Sequence, residues 1–531
     1  MIRVNQIRLE IERNETEIKN EVSKKLQISE KDIKNIIIEK KSIDARQKNK
    51  MIFFNYTILA EIENENLFLK NNSDYQKVQE ETFFIPHLKN VSEFSRPVIV
   101  GSGPAGLFCA LILCEAGLKP IIIERGEKIE KRVKTVESFW KNSILNEESN
   151  VQFGEGGAGT FSDGKLTTLI KDKDKIIPKV FNEFVESGAP KEILYFNKPH
   201  IGTDVLRKVV ISLRNKIESL GGTYLFESKL TDIIIKNGQV EFIEINGNEK
   251  IKTDTLVLAI GHSSRDTFEM LLNKNMKISQ KPFSMGVRIE HPAELINKIQ
   301  YGKFFNHKSL SAADYKISTK TKDLRAVYSF CMCPGGYVIG SSSEKNSIVI
   351  NGMSKNKRDN INSNSALLVN VETTDFKSNH PLAGMFLQKL IENKAFEKSL
   401  MNNYYAPVQL LSDFLNDKIS TRFFNVKPSY MPGTYFEKME NILPDFIIKA
   451  LKSSIDDFDK KLKGFNLKDA VLTAPETRSS SPIRIERDEN FESSIKGIYP
   501  SGEGAGYAGG ITSSAVDGIK TALSIIKMKG D

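Results

Sequence analysis

The sequence predicts an α/β protein with one parallel sheet split along the chain. A mixed domain is inserted into it and a small module precedes it. Three observations carry this reading. A short, wholly apolar strand runs into a glycine turn and an apolar helix near residue 100. Further buried strands recur at 121–123 and 255–260, and a glycine-rich strand–loop–helix unit returns at the end of the chain. The third is length: 531 residues exceed one simple core and suggest several domains.

The first turn decides the ligand class. Val98-Ile99-Val100 leads into Gly101-Ser102-Gly103-Pro104-Ala105-Gly106, then the helix LFCALILCEAG, then Ile121-Ile122-Ile123 ending in Glu124 and Arg125. This is β–α–β with G-x-G-x-x-G at its turn and an acid closing the second strand. Gly101 permits the turn, Gly103 lets a pyrophosphate approach the backbone, and Gly106 lets helix and strand pack closely. The helix amino end offers N–H donors and a positive dipole to phosphates. Glu124 suits a ribose diol and disfavours a 2′-phosphate.

The remaining elements follow in order. Ile2–Ile11 alternates as a strand, Thr16–Leu26 has helical spacing, and Ile33–Lys41 and Lys50–Glu61 read as strands, so residues 1–95 form a small α/β module. Residues 71–81 are polar and read as a loop. Residues 96–270 form the first part of the nucleotide domain. Within it, Thr203–Ser219 reads as a helix, Thr223–Phe226 as a strand, and 233–251 as a two-stranded hairpin about Asn237-Gly238. Residues 271–470 form the inserted substrate domain, and 471–531 return to the nucleotide domain.

Composition narrows the function. Apolar residues make 40% and charged residues 27%, an ordinary globular balance. The longest apolar run, Ala105 to Cys114, is 10 residues, about half of what a membrane helix needs. The first residues lack a signal-peptide core, so a cytoplasmic location is expected. Four cysteines make no disulfide scaffold, and no spacing suggests a metal site. Net charge is +9, yet residues 1–95 balance 16 basic against 16 acidic side chains. Residues 271–470 carry 29 basic against 19 acidic ones. That excess suits a small anionic substrate. The basic residues are scattered, which argues against a nucleic-acid partner; RNA modification and non-catalytic ligand binding stand as rival readings.

The choice between dinucleotides comes from Ile498-Tyr499-Pro500, Gly502-Glu503, Gly504, Gly506, Gly509-Gly510 and a helix from about Thr512. With this second loop-to-helix unit, the chain resembles FAD-binding flavoproteins of the glutathione-reductase-like superfamily. The resemblance implies a Rossmann-like FAD-binding domain, a parallel sheet with a three-strand crossover. It implies that Gly502 and Glu503 bind the ribitol–phosphate region and that Gly510, Ile511 and Thr512 face the flavin. Ala259-Ile260-Gly261 resembles the superfamily's strand-ending Ala-Thr-Gly beside FAD. The run Gln152 to Lys165, with Gly156, Gly157, Gly159 and Lys165, suits a cover over pyrophosphate and flavin. More closely, QFGEGGAGTFSDGKL, AIGHSSRDT, KPFSMGVRIEH, FCMCPGG, ETRSSSPIRI and SGEGAGYAGGITSSAVDG resemble a family known as FAD-dependent dehydrogenases or NAD(P)/FAD-dependent oxidoreductases. That implies hydride transfer at the flavin, with NAD(P)H as a possible transient donor.

Four residues are candidates for chemistry. Cys331 and Cys333, at i and i+2 on a strand, are expected to share a face and are open to two readings, a redox pair or packing. His262 follows the cofactor strand as a donor or proton carrier. Arg478 is expected to clamp an acidic substrate, with Arg288 and Arg484 nearby. Arg288 is also placed to pair with Glu290, and Glu476 with Arg478.

Overall fold

The computed structural model describes residues 1–531 except 73, 79–82, 90, 92–93, 323–324, 400–402 and 531. Its nucleotide domain is a five-stranded, all-parallel sheet. The strand order is Ile498–Pro500, Leu256–Leu258, Val98–Val100, Ile121–Ile123, Thr223–Leu225. The strands are short apolar triplets because helices and a second layer cover both faces. Helices Pro104–Glu115, Ile176–Glu186, Thr203–Ser219 and Ile511–Gly530 share one core. Every residue from Ala105 to Cys114 is buried, which is why that run is apolar throughout. The other face carries an antiparallel meander, Leu230–Lys236, Gln239–Ile245 and Glu249–Lys252, with helix Arg265–Asn273. The expected two-stranded hairpin is thus a three-stranded crossover. A second turn at Asn246-Gly247, with Asn246 φ at +52° and Gly247 at +78°, returns the chain once more.

The second domain is a seven-stranded mixed sheet. Its order is Ser318–Lys320, Ala326–Cys333, Asn362–Val371, Phe283–Pro292, Val471–Glu476, Ala406–Leu410, Thr434–Phe436. All neighbours are antiparallel except the last pair. Strand Val471–Glu476, expected in the returning nucleotide segment, pairs here with Phe283–Pro292. All six of its residues are buried, and burial on both faces removes the alternation that would have marked it as part of this sheet.

The amino-terminal module is a three-stranded antiparallel sheet in the order Ile2–Glu10, Phe53–Ile62, Ile33–Asp44. Helix Ile18–Leu26 buries Ile18, Val22 and Leu26. Main-chain bonds from Lys41 to Tyr195 and from Asn197 back to Lys41 seat this sheet on the nucleotide domain. Of the expected 71–81 loop, Asn71 ends a short helix, Glu65–Asn71, and residues 73 and 79–81 lie outside the described residues. Among the described residues no helix is long and apolar enough to cross a membrane, and no cluster of His, Cys, Asp or Glu could hold a metal ion.

Candidate functional site: a cleft between the two sheets

A cleft of about 1560 Å³, counting its open mouth, runs between the two domains. Its floor begins at the first glycine turn. A Cβ at Gly106 would meet the Gly101 carbonyl oxygen at 1.9 Å, so this glycine is required by packing. Gly103 differs. It is extended (φ −74°), and a Cβ there would find only Gly157 Cα at 3.8 Å. Its side-chain volume belongs to the cleft. Gly101, Gly103, Pro104 and Ala105 line it, and helix Pro104–Glu115 points its partnerless first-turn N–H groups at it.

Glu124 also lines the cleft, but protein donors hold it. One oxygen accepts from the Ser102 N–H at 2.9 Å and the Ser102 hydroxyl at 2.8 Å. The other accepts from the Gly126 and Gly154 N–H groups, both at 3.0 Å. Glu124 therefore staples the turn to two neighbouring loops. Of its four donors only the Ser102 hydroxyl can rotate aside for a ribose. Arg125 stacks over Phe153 with its guanidinium 4.1 Å from the ring centre, and bonds Glu148 and Asp266. With Lys229 and Leu230 it forms the wall around Glu124.

The glycine-rich segment does cover the turn, and the Gly156 N–H bonds the Ser102 carbonyl at 3.0 Å. What shapes it is Arg132, which no sequence motif singles out. Fully buried on helix Ile129–Asn142, Arg132 donates to the carbonyls of Asn150, Val151, Gly154, Glu155 and Gly157 at 2.6–3.1 Å. Five carbonyls around one guanidinium fix the loop without a ligand. Gly157, Gly159 and Lys165 line the cleft, whereas Gly156 packs against Thr160 and Val210.

The far end is built by the returning segment. Ala259, Gly261, Glu503, Gly509, Gly510 and Ile511 line the cleft beside the amino end of helix Ile511–Gly530. Cβ atoms at Gly261 and Gly509 would meet nothing within 4 Å. Gly502 and Thr512 lie behind the lining. A Cβ at Gly502 would strike Ala105 at 2.7 Å, and its N–H is held by Asp517 at 2.7 Å. The Thr512 side chain turns away to donate to the Leu166 carbonyl. Both position the helix and neither lines the cleft. Burial lifts the Glu503 carboxyl to about 7, against the pull of Lys281.

The second domain supplies the facing wall, with Phe330, Cys331, Cys333, Asn351, Gly352, Glu476 and Arg478. The expectation that Cys331 and Cys333 share a face fails. Pairing with Asn362–Val371 slips between Phe330 and Cys333, and Cys331 sits at φ +41°. A bulge of this kind re-aims side chains. Cys331 is exposed in the cleft, while Cys333 is buried with its thiol on the Cys331 carbonyl at 3.2 Å. Desolvation between the cleft walls pushes the Cys331 thiol up to about 12, and burial raises that of Cys333, so both rest as thiols.

The arginines are paired otherwise than expected. Arg288, fully buried, binds Glu476 through two bonds at 2.6 and 3.0 Å, while Glu290 is held by Ser429 and Asn362. Arg478 binds Glu392, Glu344 and Ser343 rather than Glu476. Arg484 is exposed beside Tyr507 and does not line the cleft. His262 lies in the cleft, with Nε2 4.0 Å from Glu503. Burial, reinforced by Arg478 and Arg265, lowers it to about 3, so it stays neutral and cannot serve as a cationic acid.

The residues fit FAD. Open Cβ positions recur at both ends of one continuous cleft, and each end carries a helix amino terminus. The second helix suits negative charge at a flavin's N1 edge. The family models agree. Residues 95–281 match the pyridine nucleotide-disulphide oxidoreductase family, and 282–479 match the FAD-dependent protein, C-terminal domain-like family. Residues 1–61 match a domain of unknown function, DUF8436. An uncharacterized protein of Clostridium beijerinckii is 51% identical over 467 residues, 87% of each chain. Among solved structures, CtdE in complex with FAD is 12% identical, with a TM-score of 0.34 over 82% of this chain and 88% of that one. L-proline dehydrogenase from P. horikoshii is 11% identical, with a TM-score of 0.32 over 84% and 93%. FAD is the cofactor.

Proposed function

The chain belongs to the same family as the Clostridium beijerinckii protein and is FAD-dependent, and from that premise we propose that it is an oxidoreductase acting on a small anionic molecule. Bound FAD supplies two-electron chemistry, with hydride moving to or from flavin N5. The protein supplies placement and charge. The observation that carries the reading is the charge balance at the far end of the cleft. Arg288 and Arg478 are neutralised by Glu476, Glu392 and Glu344, so they do not attract an anion. Lys165 is different. Its nearest acid, Asp163 at 4.0 Å, is already bound by Arg358 at 3.0 and 2.5 Å. Among the described residues that line the cleft, Lys165 is therefore the cation left to meet an acidic group, and Phe330 and Cys331 line the same cleft. Phe330 lends that end an apolar wall that excludes water.

The test is anaerobic bleaching of the flavin by NADH, NADPH and a panel of acidic and neutral metabolites. An acidic compound should reduce the wild type, and Lys165→Met should raise its half-saturating concentration about tenfold or more, the scale of a bond to a charged group. Reduction by neutral compounds alone, unaffected by Lys165→Met, would remove the anionic substrate. Failure of every donor would favour a binding protein.

A further inference from the structure

Glu392 lies on helix Ala383–Lys398 of the second domain, far in sequence from every glycine motif, and none of its side chain reaches solvent. Its carboxylate accepts five hydrogen bonds. Two come from Arg265, both at 2.8 Å, and two from Arg478, at 3.1 and 2.7 Å. The fifth comes from the Thr477 hydroxyl at 2.7 Å. The two arginines belong to different segments that meet at the cleft. Arg265 ends the stretch Ala259–Ser264, which lines it, and Arg478 lines it directly. The residue after Arg265, Asp266, is tied to Arg125 and Lys229 at the other end of the cleft. The strap 259–266 is thus pinned at its carboxyl end twice over, by Glu392 through Arg265 and by Arg125 and Lys229 through Asp266.

We infer that Glu392 is a positioning residue that clamps both segments against the flavin and cancels charge beside it, thereby holding down the flavin's reduction potential. The physical argument is a balance of charge. Two buried guanidiniums face Glu392 and the partly exposed Glu344, which also bonds Arg478 at 3.2 Å. Removing the buried carboxylate's charge leaves one net positive charge in a water-poor region, where screening is weak. Reduced flavin is anionic at N1, so that charge favours reduction. Removing Arg478 reverses the sign.

The inference rests on FAD occupying the cleft, and the experiment keeps the two claims apart. FAD-loaded wild type, Glu392→Gln and Glu392→Asp are compared by anaerobic spectroelectrochemistry, with sulfite affinity of the flavin as a second readout. Glu392→Gln should shift the reduction equilibrium at least tenfold toward reduced flavin, about 30 mV for a two-electron couple. It should also tighten sulfite binding by a similar factor, and Glu392→Asp should restore most of both. If Glu392→Gln retains flavin with an unchanged or lowered potential, the inference is overturned. If it loses flavin, the sulfite affinity of Glu344→Gln, which removes the other carboxylate on Arg265 and Arg478, decides: it should exceed that of the wild type, and no change would also overturn the inference. Wild type that carries no FAD would instead sink the cofactor assignment.

Discussion

The two ends of the cleft are built by different means. The first-turn end is made of backbone. Gly101 and Gly103 present main chain to the ligand, and their strand, helix and closing acid belong to one β–α–β unit from Val98 to Glu124. The far wall is made of side chains brought together over long separations. Arg288 and Glu476 are 188 residues apart, and Arg265 and Glu392 are 127 apart. A backbone site tolerates little variation in residue type and takes main chain, not charged side chains, from the segments that pack on it. A wall of buried ion pairs depends on every partner, because losing one strands a charge. The first end therefore governs whether flavin is held, and the second how it reacts.

The largest expected effect breaks the first end alone. Gly103→Val should fold normally, since its backbone is extended and its Cβ meets open space, yet retain no FAD after purification. Circular dichroism and the ratio of flavin to protein check both halves of that statement. A variant that keeps its flavin would place the pyrophosphate elsewhere.

Arg288→Met should have the opposite character. It leaves Glu476 buried without its cation and should cost about 3–5 kcal/mol of stability, measured by denaturant unfolding. A loss under 1 kcal/mol would mean that the pair is solvated.

A smaller effect concerns Glu503. Its folded value, about 7, lies above the ordinary 4.5, so the folded apoprotein binds the proton more tightly than the unfolded chain. The resulting stabilisation is fully present below pH 4.5 and is lost as pH rises through 7. Glu503→Gln should flatten the fall in apoprotein stability across that window. A curve parallel to the wild type would show that the carboxyl is freely hydrated.

Legibility follows the same division. The glycine turn, its helix and the short buried strands could be read from sequence because each is local and has its own pattern. Helix Thr203–Ser219 was read with its observed bounds for the same reason. Glu124 is legible as the acid that closes the strand, but its donor from Gly154, 30 residues on, is not. Arg132 and Glu392 gave no signal, because a charged residue in a helix reads as a solvated face until its tertiary partners are known. Cys331 and Cys333 misled because strand alternation assumes an unbroken ladder, and a bulge between Phe330 and Cys333 breaks it. Arg478 lines the cleft, but its neutralising acids lie 86 and 134 residues away and carry no local signal.

The central claim is that the far wall tunes a flavin that the first turn holds. The most direct measurement is the two-electron midpoint potential of FAD-loaded Arg478→Met against wild type, at low and high salt. The account predicts full flavin content and a potential lowered by about 30 mV, a tenfold shift toward oxidised flavin. The shift should persist at high salt, because Arg478 is buried and screening acts mainly on exposed charges. An unchanged or raised potential would contradict it.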